Sequence, residues 1–116
     1  MKMTNQINLA IAFNGEYMGK DESIGKVFLS NFLNSLSGAT TCPEYIILYN
    51  SDVKIAYQSD FDIENLKMLE ARGTKILLCG TCVKHYDIEN QIKIGTISNI
   101  HEITQVMVNA KKLINA

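Results

Sequence analysis

The sequence is short of the residues that usually mark a specialised protein. Its 116 residues include no tryptophan, one proline (Pro43), two histidines (His85 and His101) and three cysteines. One proline excludes proline-rich linkers and recognition tracts. Neither sign of charge is in excess: 11 Lys plus Arg stand against 12 Asp plus Glu, for a formal net charge of −1. With no basic run, the electrostatic footprint of a nucleic-acid binder or a membrane-surface helix is missing. No apolar run approaches the ~20 residues of a bilayer-spanning helix; the runs, that around Ile76 to Cys79 among them, are strand-sized. No membrane or nucleic-acid partner is expected. The N-terminal MKMTNQINLAIAF has one lysine, a short apolar run and no small-residue cleavage site, so a first strand is expected rather than a leader. Three cysteines without an export signal predict a reducing, cytoplasmic setting, where thiols serve chemistry or packing rather than as staples.

What is present is regular alternation. Ile7, Leu9, Ile11 and Phe13 alternate with Asn8, Ala10 and Ala12; small apolar residues on the second face predict a strand covered on both sides. A polar loop, NGEYMGKDES, follows, with Gly15 and Gly19. From Asp21 onward Ile24, Val27, Phe28, Phe32, Leu33 and Leu36 keep to the helical period. Asp21 and Glu22 suit a helix start and Gly38 a stop. Tyr45 to Tyr49 reads as a second strand running out into Asn50, Ser51 and Asp52. A second helix is expected from Asp62 to Arg72, with Ile63, Leu66 and Leu69 inward and Gly73 closing it. Lys75 to Cys79 is expected as a third strand that opens into a short helix, and Ile92 to Ile97 as a further strand. Asn99 and Glu102 have capping-box spacing for a last helix carrying Ile103, Val106, Met107 and Ala110. Lys112 to Ile114 ends the pattern as a short strand. The chain has room for one core. The expected fold class is α/β: a single domain over residues 1–116, a three-layer sandwich with an about five-stranded, mainly parallel sheet and helices on both faces.

In an open parallel sheet, ligands collect beyond the carboxyl ends of the strands. The loops leaving that edge supply Asn14 and Gly15, Asn50 and Ser51, Cys79 to Cys82, and Ser98 and Asn99. Cys79 is expected at the last strand position and Cys82 in the first turn of the next helix, where unpaired N–H groups and the helix dipole favour a thiolate. Gly80 permits a tight turn there and Thr81 adds a hydroxyl donor. Free cysteines also serve as small core residues, but two at this spacing on this loop favour chemistry. A closed zinc site needs four ligands; His85 adds at most a third, and Cys42 and His101 are isolated, so no metal and no cofactor are expected. A c-type haem needs histidine where Val83 stands. A thioredoxin-like pair works opposite a proline further along the chain, whereas Pro43 precedes this motif. A reversible Cys79–Cys82 disulfide and a sulfur carrier are left.

The segments NGEYMGKDESIGKVFLSNFLNSL, YIILYNSDVKIA, ENLKMLEARGTKILLCGTC and IGTISNIHEITQVMVNAKKLI together resemble the DsrE-like domain of the YedF family, bacterial sulfurtransferase-like proteins linked to selenium metabolism. The resemblance runs from Ile7 to Ile114; CGTC after the third strand is its most specific element, supported by GTISN before the last helix. Sulfur-relay subunits of the wider superfamily carry a single active cysteine at the end of the equivalent strand. The resemblance therefore implies that role for Cys79 and leaves Cys82 as an addition. It also implies a homo-oligomer and a sulfur donor, either a TusA-like protein or a cysteine desulfurase. YedF proteins often carry an N-terminal TusA-like domain with a Cys-Pro motif; none is expected within these residues, where Cys42–Pro43 falls in a loop between the first helix and second strand.

The expected function is sulfur, or selenium, carriage: Cys79 accepts a sulfane sulfur as a persulfide and Cys82 resolves it. The competing reading is a non-catalytic binding module for a small ligand or a protein, whose cysteine pair senses redox state. Asn14, Gly15, Met18, Asn50, Ser51, Gly80, Thr81, His85 and Asn99 are the expected pocket positions. Several have plainer alternatives. Asn and Ser are common turn formers, Met18 can anchor its loop rather than cover the thiols, and His85 suits a solvated place beside Tyr86 better than a proton donor. Cys42 is expected in packing or a loop, and His101 on the surface.

Overall fold

The structure, a computed structural model, describes residues 5–116; the part of the N-terminal reading that rests on residues 1–4 lies outside them. Strands β1 (Asn5–Phe13), β2 (Thr41–Leu48), β3 (Lys75–Cys79), β4 (Thr96–Ser98) and β5 (Lys112–Asn115) form one sheet in the order β4-β3-β2-β1-β5. Every pairing is parallel. The helices are α1 (Glu22–Ser37), α2 (Ile55–Gln58), α3 (Asp60–Ala71), α4 (Gly80–Tyr86) and α5 (Ile100–Asn109). None of them is long and apolar enough to cross a membrane.

The first three crossovers each step one strand in the same direction, so right-handed connections lay their helices on one face. The last returns from edge to edge and takes the other face. Side-chain packing agrees with this. Ile11, Phe13, Ile46, Leu48, Ile76 and Leu78 enter a large core with Leu29 and Leu33 of α1, Ile63, Leu66 and Leu69 of α3, and Val83 of α4. The alternating residues Ala12, Ile47 and Leu77 face a smaller cluster closed by Ile103 of α5, with Val106 and Met107 beside it. The sandwich is three-layered but lopsided, one ten-residue helix covering the second face.

Helix α1 begins as its sequence predicts. The Asp21 carboxylate accepts the N–H groups of Ser23 at 3.0 Å and Ile24 at 3.3 Å, satisfying donors that a helix start leaves free. The buried line, however, is Gly25, Leu29, Leu33 and Ser37. Ile24, Val27 and Phe28 are more than half exposed, so the apolar stripe is wider than the surface beneath it. Helix α3 starts earlier than expected, at Asp60, because Ser59 caps it by accepting the Asp62 N–H at 3.2 Å. A 3-10 turn over Asn50–Lys54 and the short α2 fill what reads as a polar loop.

Two expectations are corrected. Cys42 and Pro43 lie within β2, buried, and not in a loop. A proline inside a sheet lacks a ladder donor. Here β1 shifts register between Ile7, opposite Pro43, and Ala10, opposite Tyr45, and pairing with β3 starts only at Tyr45. The ladder is interrupted where the N–H is missing, and the Pro43 carbonyl accepts the Thr74 hydroxyl at 2.7 Å. The strand expected over Ile92 to Ile97 is confined to Thr96–Ser98. Gly95 turns the chain with φ +88°, and a Cβ there would stand 2.5 Å from Leu78 Cδ1, so Ile94 drops into the large core ahead of the strand.

Gly95→Ala should therefore destabilise by about 1–3 kcal/mol, since strain and overpacking act together. Gly38→Ala, at φ −101° with nothing within 4 Å, should be neutral or stabilising by about 0.4–1 kcal/mol. Urea unfolding of the two variants beside the parent checks the contrast.

Candidate functional site

Cys79 ends β3 and Gly80 begins α4 with no residue between them. A Cβ on Gly80 would lie 2.6 Å from the carbonyl oxygen of Ser98. Glycine is required because the ends of β3 and β4 approach closely, and not for a tight turn as the sequence suggested. Continuing the pleat, the half-buried Cys79 turns toward the α5 face. There Tyr49, Ile100, Ile103 and Met107 join it in lining a pocket of ≈ 170 Å³. A larger hollow of ≈ 260 Å³, lined by Glu44, Tyr45, Gln105 and Asn109 among others, holds no thiol.

Cys82 packs instead against the large core. Its Sγ accepts the backbone N–H of Asn50 at 3.1 Å. Asn50 opens the 3-10 turn after β2 with φ 54°, a left-handed conformation that asparagine tolerates better than most residues. The loop after β2 thus reaches the thiol on α4. Burial pushes the Cys82 thiol pKa up, interaction with the Cys79 thiol adds to the rise, and the Asn50 N–H opposes both. The thiolate expected from a helix start is therefore not favoured at Cys82. Helix α4 has only seven residues, and desolvation outweighs what its terminus and one N–H contribute. All three cysteines are free thiols; Cys42 is buried within β2, in the packing role.

Of the other expected positions, Asn50 alone donates a hydrogen bond to a thiol. Gly15 faces Ser51, whose Oγ would lie 4.0 Å from a Cβ at Gly15, so the loops after β1 and β2 meet. Asn14 is exposed and its N–H donates to the Ala116 carbonyl at 3.3 Å. Met18 packs on the large core as a loop anchor. Thr81 is exposed. His85 is exposed and set edge-on to Tyr86, 4.9 Å between ring centroids, which is the solvated placement. Asn99 caps α5, accepting the Glu102 N–H at 2.9 Å. The other half of the capping box is not made, since the Glu102 carboxylate accepts the Ser98 hydroxyl. His101 is exposed.

Sequence reasoning missed two groups. Ile100, Ile103 and Met107 recur on one helix face, a visible signal, but that the face meets Cys79 depends on where the return crossover lands. The second is Asp52, inside the turn that carries Asn50. It is fully buried, and neither carboxylate oxygen has a hydrogen-bond partner. Burial raises its pKa well above the ordinary carboxylate value, with Asp62 and Glu16 adding repulsion. Among the described residues, no three His, Cys, Asp or Glu side chains are gathered as a metal-holding group.

This arrangement is a DsrE-like fold. Solved structures share it. The YchN protein of E. coli aligns with TM-score 0.61 at 16% identity, over 98% of this chain and 100% of that one. A conserved protein of unknown function from Bacteroides thetaiotaomicron aligns with TM-score 0.66 at 18% identity, over 97% and 95%. Identities this low carry the fold alone. No protein-family model and no curated protein matches the sequence.

Asp52 sets a pH dependence. Its folded pKa is raised, so the native state holds a proton that the unfolded chain releases above about 3.8. Its contribution is fully favourable below that value and is lost as pH rises through the folded pKa. The melting temperature should fall across that window, and Asp52→Asn should flatten the slope; thermal melts at stepped pH check this.

Proposed function

We propose that the protein is a cytoplasmic sulfur-relay domain of the YedF type, in which Cys79 carries a sulfane sulfur. The observation that carries this reading is the thiol pair at the carboxyl end of β3. One thiol faces a pocket and the other is held by a backbone N–H from the neighbouring loop. The Cys79 thiolate attacks the outer sulfur of a donor persulfide, the donor S–S bond breaks, and the donor leaves as a thiol; Cys79 keeps a persulfide. From there an acceptor thiolate takes the terminal sulfur and regenerates Cys79. In its absence Cys82 attacks the inner sulfur, and sulfide leaves as the Cys79–Cys82 disulfide forms. A dithiol reductant then resets the pair. The donor is a TusA-like protein or a cysteine desulfurase, the working form is a homo-oligomer, and selenium follows the same route where a donor carries it as the outer atom of a perselenide, whose bond to the donor breaks as the donor leaves in its reduced form.

Intact-protein mass spectrometry after treatment with a persulfide donor tests this. The parent should gain one sulfur, Cys79→Ser none, and Cys82→Ser should load and retain its sulfur longer. Absence of loading in every form would leave the binding-module reading in its place. Sulfide release from the loaded parent should accelerate as pH climbs past the ordinary thiol range, because Cys82 attacks only when deprotonated and its pKa is raised.

A further inference from the structure

We propose that Cys79 also reacts with small molecules whose sulfur is borne by a compact, uncharged apolar group, because its thiol forms part of the wall of an apolar pocket of matching size. The inference rests on the sulfur-carrier reading for its biological direction, though its chemistry is tested apart from it. The pocket's other walls are the Tyr49 ring, Ile100, Ile103 and Met107, with no charged side chain among them. Its ≈ 170 Å³ is close to the about 150 Å³ of an aliphatic-lined cavity that holds a benzene-sized molecule. It is well below the about 300 Å³ where drug-sized pockets begin. A small, multiply charged donor such as glutathione persulfide would place its carboxylates against Ile100 and Met107, where nothing compensates their desolvation. A short aliphatic or single-ring group fills the space and brings its sulfur to Cys79 Sγ.

The polar atoms nearby are already engaged or on the far side. The Tyr49 hydroxyl donates to the Asn115 side-chain oxygen at 3.2 Å, and the Asn50 N–H is given to Cys82. The pocket therefore selects by shape and apolar contact while the reaction takes place at its wall. Ile103 is 4% exposed and belongs to the core, whereas Ile100 is 68% exposed and forms the rim. Ile100 can thus be changed without emptying the interior.

Methanethiosulfonates give the direct measurement. The Cys79 thiolate attacks the sulfenyl sulfur, the S–SO2 bond breaks, methanesulfinate leaves, and Cys79 carries the alkylthio group as a mixed disulfide. In Cys82→Ser, labelling mapped to Cys79 and normalised to free glutathione should accelerate from methyl to n-butyl reagent by about threefold per methylene, tenfold or more in all. The anionic sulfonatoethyl reagent should be at least tenfold slower than the butyl one. Ile100→Glu should reduce the ratio of the butyl to the methyl rate several-fold while its melting temperature stays near the parent's. Equal rates for all chain lengths, faster reaction with the anion, or a preference untouched by Ile100→Glu would overturn the inference. A chain-length preference in protein that never accepts persulfide sulfur would uphold the pocket and reject the carrier. Persulfide loading at one rate from benzyl and glutathione donors, with no chain-length preference, would do the reverse.

Discussion

Strand β3 is hydrogen-bonded to β2 on one side and β4 on the other, and its pleat turns successive side chains to opposite faces. Ile76 and Leu78 go into the large core; Leu77 and Cys79 go toward α5. Neither its register nor its orientation can slip without moving the core residues to the wrong face. The placement of the thiols depends on this constraint. Cys79 continues the pleat and faces α5, while Cys82, one turn into α4, falls back against the large core. A pair three residues apart in sequence is thereby divided between two environments.

The surroundings of the two thiols differ accordingly. Cys79 shares its pocket with aliphatic and aromatic side chains. Cys82 is reached by the Asn50 N–H from the turn that also buries Asp52. That turn carries an unsatisfied acid in its interior, which costs stability once the carboxyl ionises. Gly80 completes the arrangement by letting the ends of β3 and β4 approach, which brings the start of α5 beside the cysteine strand. A side chain at 80 would separate them and open the pocket wall at Ile100.

The lopsided layering has its own consequence. Four helices cover one face and α5 alone covers the other, so the second face is shallow near Cys79. That shallowness is what leaves a pocket at the sulfur instead of a packed core. The fold is shared with proteins less than a fifth identical to this one, which is expected when the pattern of buried positions, rather than particular residues, specifies a parallel sheet.

The sequence by itself determined the alternation of strands and helices, the end of β3 at Cys79, the Asp21 and Asn99 caps, and the position of the thiols on the carboxyl edge. These are local matters: period-two and helical patterns, capping side chains, and chain order are written in adjacent residues. Its errors came where distant segments meet. Pro43 sits in a strand because β1 shifts register beside it. The strand before Ser98 is short because Gly95 must pass over Leu78 and Ile76. Phe28 is exposed because the surface under α1 is narrower than its apolar stripe. The pocket at Cys79, the N–H on Cys82 and the buried Asp52 were decided by the tertiary structure alone. Each joins residues from different crossovers, and only the packed sheet brings them together.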